Sequence, residues 1–472
     1  MKHYYMRIND EELGADLPTI NITDPATSDI IGTIPNGGKT EASMAVDAAS
    51  EAFRPWSQLS AFERSAYLTK WHQLINDHKE DLARSMTLEQ GKPLKEARGE
   101  IDYANGFISW YAEEGKRVYG EQLPAMQKNK RLFVNKQPVG VVAVITPWNF
   151  PAAMITRKIA PALATGCTVV IKPAEQTPIT ALKLAALAEE AGIPKGVINV
   201  VTGDAKSIGE SWLSDERVRK LTFTGSTEVG KLLMKGSAET VKKVSLELGG
   251  HAPAIVMEDC DLDKAVEGVI ASKFRNAGQT CVCTNRVYVQ ESIAGLFTEL
   301  LEEKVKELKT GNGFEEDVAI GPLIDEHAVE KVQSHIDDAL SKGASLVTGG
   351  GMKEGLFYEP TVIRDATDDM LCMRDETFGP LAPIATFKTE EEAIERANNS
   401  IYGLAAYLFT ENLSRGIRIS EQLEYGIVGL NDGAPSTPQA PFGGFKQSGI
   451  GREGGHHGIE EYLEVKYISV GL

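Results

Sequence analysis

Two cysteines one residue apart, Cys281 and Cys283, close the run Phe274-Arg275-Asn276-Ala277-Gly278-Gln279-Thr280-Cys281-Val282-Cys283. The small and polar residues ahead of them suit a tight loop that presents a thiol, and a thiolate presented in this way is a nucleophile. On the residues alone, two other readings stay open: ordinary loop cysteines, or half of a metal site. The metal reading needs a second Cys or His pair at zinc spacing, and the chain has none. A complementary group stands in Leu246-Glu247-Leu248-Gly249-Gly250, where flanking leucines would desolvate Glu247 and raise its pKa toward that of a general base. The two glycines mark a place of close backbone approach, and the plainer reading of Glu247 is a strand glutamate facing solvent.

Three further segments carry donors or charge at strand ends. Thr146-Pro147-Trp148-Asn149-Phe150-Pro151 follows an apolar run and sets the Asn149 amide where open parallel sheets bind ligands, although an asparagine between two prolines also suits a plain turn. Ile171-Lys172-Pro173-Ala174-Glu175 offers one cation and one carboxylate. Phe223-Thr224-Gly225-Ser226-Thr227-Glu228-Val229-Gly230 puts glycines and hydroxyls at a strand-to-helix turn, where helix N-terminal amides can face a pyrophosphate. It is not the G-x-G-x-x-G fingerprint.

The elements that must position these groups follow from periodicity. Residues 40–117 carry apolar side chains at spacings of three and four (Met44, Val46, Ala49, Phe53; Tyr67, Leu68, Trp71, Leu74), which predicts an amphipathic helical layer. Residues 119–137 suit a hairpin arm. From Val139 short β-branched runs alternate with helices: 139–146, 168–172, 197–202, 220–224 and 242–248, the pattern of parallel strands buried on both faces. Thr177 as N-cap and Pro178 at the first helical position open the helix between the second and third runs. A second alternation starts near Pro253, and the glycine-rich tail ends in Tyr467-Ile468-Ser469-Val470, a strand that pairs either with a neighbouring subunit or within its own.

Bulk properties bound the function. A chain of 472 residues exceeds one hydrophobic core, and 49 Lys+Arg against 67 Asp+Glu give a formal charge of -18, which excludes nucleic acid and membrane surfaces as natural partners. Five cysteines are too few and of the wrong parity for a disulfide-stapled secreted fold. With no apolar leader segment at its start, the protein is expected to be cytoplasmic.

Taken in order along the chain, Thr146 to Pro151, Lys172 to Glu175, Phe223 to Gly230, Leu246 to Gly250, Asn276 to Cys281, Glu376-Thr377-Phe378-Gly379-Pro380 and Pro441-Phe442-Gly443-Gly444 resemble the aldehyde dehydrogenase superfamily, and within it the succinate semialdehyde dehydrogenases. Glu247 precedes Cys281 by the 34 residues that the family shows, so the resemblance gives the nucleophile role to Cys281 rather than Cys283. It implies an α/β protein: a Rossmann-like cofactor domain (1–118 and 138–247), an α/β catalytic domain (248–446) and a small β oligomerisation arm (119–137 and 447–472). It also implies aldehyde oxidation through a Cys281 thiohemiacetal, with Asn149 and the Cys281 backbone N–H as oxyanion donors and Glu247 activating the water that hydrolyses the thioester.

By the same resemblance Lys172 and Glu175 hold the adenosine ribose, Gly225 and Ser226 the pyrophosphate region and Glu376 the nicotinamide ribose, while Thr146, Trp148, Leu248 and Phe378 line the cofactor cleft. Glu175 favours NAD, with NADP possible. Arg157 and Arg275 match the semialdehyde pattern and would clamp a distal carboxylate, with Ser436 adding a hydroxyl; the alternative for each arginine is an internal ion pair. A homodimer or homotetramer acting on a small aldehyde, with no metal, is expected. Rival substrates are glutarate semialdehyde or a neutral aldehyde such as lactaldehyde, and the rival from another class is a catalytically silent structural relative. Cys283 is either inert or the partner of Cys281 in a reversible disulfide.

Overall fold

A computed structural model describes residues 2–472. The helical layer contains α1 (Lys39–Gln58), α2 (Ala61–Asp77), α3 (Lys79–Gln90) and α4 (Leu94–Glu114). Sequence sets the ends locally: Ser60 accepts from the Glu63 N–H at 3.2 Å while Glu63 accepts from the Ser60 N–H at 2.7 Å, a reciprocal cap that opens α2.

Five parallel strands follow: β1 (Val141–Ile145), β2 (Thr168–Lys172), β3 (Ile198–Val200), β4 (Val218–Thr224) and β5 (Lys243–Glu247). Between them run α5 (Ala153–Thr165), α6 (Ile179–Glu190), α7 (Ala205–Ser214) and α8 (Thr227–Ser237). The spatial order is β3-β2-β1-β4-β5, so the winding reverses between β1 and β4. Alternate residues serve opposite faces, as a pleated strand requires: Val142 and Val144 enter the core shared with α2 to α6, while Val141 and Ala143 enter the one shared with α1, α7 and α8. The predicted strands are therefore present, 168–172 with its predicted bounds, 220–224 starting two residues earlier at Val218, and the other three with trimmed ends.

The second sheet holds β6 (Ala252–Val256), β7 (Thr284–Gln290), β8 (Leu381–Phe387), β9 (Ala405–Phe409) and β10 (Ile427–Leu430), all parallel, with two shorter strands beyond β8. Its own core includes Val256, Val287, Ile384 and Leu408.

Two expectations change. The α6 N-terminus is not capped by Thr177, whose hydroxyl donates instead to the Trp148 carbonyl at 3.3 Å; the Glu89 carboxylate of α3 accepts from Ile179 N at 2.6 Å and Thr180 N at 2.9 Å. A full carboxylate from a packed neighbour outcompetes a local hydroxyl. The tail from 447 is also divided. Gly449–Ile450 adds an antiparallel edge to β5, and only Leu463–Gly471 joins the arm, pairing antiparallel with Lys130–Pro138 of its own chain. Among the described residues no helix is long and apolar enough to cross a membrane.

Candidate active site

The reversal between β1 and β4 leaves the carboxyl ends of two adjacent strands diverging, and a cleft of about 340 Å³ opens there. Trp148 and Asn149 enter it after β1, Gly225 and Ser226 after β4, Leu248 and Gly249 after β5; Cys281, Glu376 and Phe378 close it from the second sheet. Residues far apart in the sequence thus share one wall. The Trp148 and Phe378 rings meet edge to face at 5.7 Å, and Phe378 holds a left-handed backbone (φ 57°), a strained state for an aromatic residue that packing must enforce. Ser226 caps α8 through Val229 N at 3.3 Å. At the end of β2, buried Lys172 bonds Glu175 at 2.6 Å; Thr146 is buried, its N–H on the Lys172 carbonyl at 3.2 Å.

Cys281 ends a loop in which Asn276 (φ 52°), Ala277 (φ 55°) and Gly278 (φ 74°) are all left-handed. Such a loop persists only if its polar groups are held. Asn276 N donates to Glu96 at 2.9 Å and Asn276 Nδ2 to the Asn149 carbonyl at 3.0 Å; Asn149 Nδ2 in turn donates to the Gln279 carbonyl at 3.0 Å. One N–H of the Asn149 amide is spent on orientation and the second is free. Gly250 must be glycine, since a Cβ there would lie 2.1 Å from the Cys281 carbonyl oxygen. Burial pushes the Cys281 thiol up to about 12, with Arg157 opposing, so at neutral pH it is protonated until a base acts. Cys283 is fully buried behind the loop, donating to the Gly278 carbonyl at 3.2 Å, and both cysteines are free thiols.

Glu247 does not line the cleft. Only 2% exposed, it sits behind the wall with Oε2 lacking any hydrogen-bond partner, in a cluster with Arg157, Lys158 and Glu453. Arg157 and Lys158, neighbours on α5, both pair with Glu453, and Lys158 Nζ also donates to Thr224 Oγ1 at 2.6 Å. Burial, reinforced by the Glu453 charge, holds Glu247 well above the usual carboxylate range. Burial alone would raise Glu453 too, but Arg157 and Lys158 reverse this and hold it below that range. Two adjacent carboxyls are thereby pushed in opposite directions, the arrangement of an acid–base site.

The internal ion pair weighed for Arg157 is therefore present, with its guanidinium also 4.3 Å over the Phe442 ring. Arg275 has no carboxylate within ion-pairing distance among the described residues and lies 5.5 Å over the Phe150 ring. Ser436 is half-buried in the coil after β10, with no side-chain hydrogen bond among the described residues. Sequence reasoning missed Lys158 and Glu453. The first could have been found: it and Arg157 are the two charges in a helix otherwise built from small and apolar residues.

A family model described as the aldehyde dehydrogenase family matches residues 13–468. The chain belongs to the aldehyde dehydrogenase family. It is 56% identical over 468 residues to the NADP-dependent succinate-semialdehyde dehydrogenase of Escherichia coli K12, covering 98% of this chain and 97% of that one. It is likewise 56% identical over 466 residues to a glutarate-semialdehyde dehydrogenase of Pseudomonas putida KT2440, covering 98% and 97%. A crystal structure of succinate-semialdehyde dehydrogenase from Burkholderia pseudomallei superimposes with a TM-score of 0.98 at 54% identity, covering 99% and 98%. As an aldehyde dehydrogenase the protein is an NAD(P)-dependent oxidoreductase, and its two sheets are the Rossmann-like and catalytic halves of that fold.

Proposed function

We propose that this aldehyde dehydrogenase oxidises a short semialdehyde with a distal carboxylate, succinate semialdehyde foremost and glutarate semialdehyde next, to the diacid. The observation that carries this is a pair of buried guanidinium nitrogens without partners, Arg157 Nη2 and Arg275 Nε, whose charges both bear on the Tyr103 phenol. Buried donors in proteins are satisfied, and a substrate carboxylate would satisfy these. Ser436 adds a hydroxyl to that end. Two relatives named for acidic semialdehydes support the same choice.

The residues around the cleft fit a dinucleotide: the switch-point opening, the glycine at 249 whose Cβ would press within 3.0 Å of Glu376, and the aromatic pair of Trp148 and Phe378. Lys172 and Glu175 would hold the adenosine ribose, Gly225 and Ser226 the pyrophosphate and Glu376 the second ribose, with Thr146 and Leu248 shaping the walls. One chemistry comes from outside the chain: acceptance of a hydride by the bound nicotinamide. Glu175 would accept from a ribose 2′-hydroxyl and repel a 2′-phosphate, which favours NAD; Lys172, freed from Glu175, would still admit NADP.

Cys281 gives up its proton to water and attacks the aldehyde carbon as a thiolate; the carbonyl electrons move to oxygen, where the free Asn149 N–H and the Cys281 backbone N–H stabilise them. Glu247 then takes a proton from the water that attacks the thioester; the C–S bond breaks, releasing the acid and returning Cys281 as its thiolate. The arm, with Val465 69% and Tyr467 59% exposed, would be covered by a second copy in a homodimer or homotetramer, and the free thiols suit a reducing cytoplasm.

Steady-state rates with both nucleotides across an aldehyde panel test this. A two-arginine clamp predicts a kcat/KM for succinate semialdehyde about 10² above that for butanal. Arg275→Ala should erase that margin through KM. Equal efficiencies in the wild type would refute the clamp.

A further inference from the structure

The N-terminal helical layer reaches the site through three charged residues that no step above uses. Lys92 lies between α3 and α4 and is 2% exposed. Its Nζ donates to Glu100 at 2.5 Å and to the Asn149 carbonyl at 2.8 Å, and it stands 4.0 Å over the Phe150 ring. Glu100 spends its other oxygen on the first turn of α5, accepting from Ala152 N at 2.9 Å and Ala153 N at 3.2 Å. One helical turn earlier on α4, Glu96 accepts from Asn276 N at 2.9 Å.

These bonds converge on one object. Asn149 sits in irregular chain between β1 and α5, where nothing in its own backbone fixes the direction of its amide. Its carbonyl has two lone pairs, and Lys92 Nζ and Asn276 Nδ2 occupy both, while Glu100 anchors the chain just after it and Glu96 anchors the strained loop opposite. A buried Lys–Glu pair adds little net stability over apolar residues of the same size, so a stabilising role alone does not account for it. We propose that Lys92, Glu96 and Glu100 are positioning residues that hold the Asn149 amide in register with the Cys281 loop. This rests on the oxyanion role assigned to Asn149. An oxyanion donor must lie about 2.7–3.1 Å from the developing charge, and a displacement of about 1 Å costs about 10² in rate.

The test is a double-mutant cycle read in the NADH burst with succinate semialdehyde. Lys92→Met leaves Glu100 uncompensated, so it is paired with Lys92→Met/Glu100→Gln, which keeps an oxygen for the α5 amides and buries no lone charge. In either variant the burst rate and kcat should fall about 10², with KM and NAD affinity within about twofold. In an Asn149→Ala background the same change should cost less than about twofold, because the group it positions is gone. An unchanged burst in the Lys92 variants, or the same 10² loss with and without Asn149, would overturn the proposal. Asn149→Ala retaining the full burst would instead remove the oxyanion role first.

Discussion

Two buried lysine–glutamate clusters flank the same site and differ in one respect. The Lys92 Nζ and both Glu100 carboxylate oxygens have partners, whereas beside Lys158 and Glu453 the Glu247 Oε2 and Arg157 Nη2 atoms have none. A satisfied network is rigid and suits holding a backbone; an unsatisfied one carries a standing desolvation cost that a ligand or proton can relieve. The difference separates the part of the site that must not move from the part that reacts.

Breaking the reactive cluster should give the largest effect. Glu247→Gln is expected to lower steady-state turnover about 10²–10⁴-fold while leaving one burst of NADH per site, because hydride departure precedes the step that needs the base. Breaking the static cluster should instead unsettle the fold: Glu100→Gln alone removes the counter-charge of Lys92 and should cost about 3–5 kcal/mol in a urea titration. Glu453→Gln sharpens the contrast. With the negative neighbour gone and Arg157 and Lys158 still facing Glu247, the Glu247 pKa falls, so the acidic limb of the kcat–pH profile moves to lower pH.

The smallest effect is on stability and has a definite sign. Since Glu247 binds its proton more tightly folded than unfolded, its contribution falls as pH rises from the ordinary glutamate range through its raised folded value. Glu247→Gln should therefore be neutral near pH 4 and stabilising by about 1 kcal/mol near pH 8, read from urea midpoints at the two pH values. A midpoint gap that shrinks with pH would contradict the buried, raised carboxyl.

Legibility in the sequence followed locality. Asn149, Glu247 and Cys281 each stand beside a strand end or a run of small residues, and turn chemistry marks such places within a few positions. Lys92, Glu96 and Glu100 fall inside the predicted helical layer with nothing near them in the sequence to mark a role, since α5, which buries Glu100, lies about fifty residues on. The Glu89 cap on α6 is out of reach for the same reason, at 90 residues' separation. Gly449–Ile450 is too short to carry a period at all, so its place beside β5, and with it Glu453 beside Glu247, emerges only from the assembled sheet.

The central claim is that Cys281 carries the substrate as a thioester until Glu247 releases it. Mass spectrometry of proteolysed Glu247→Gln enzyme, quenched in acid after mixing with NAD and succinate semialdehyde, tests it most directly. A succinyl group on the Cys281 peptide is the result expected; an unmodified Cys281 with NADH formed, or the acyl group on another cysteine, would contradict it.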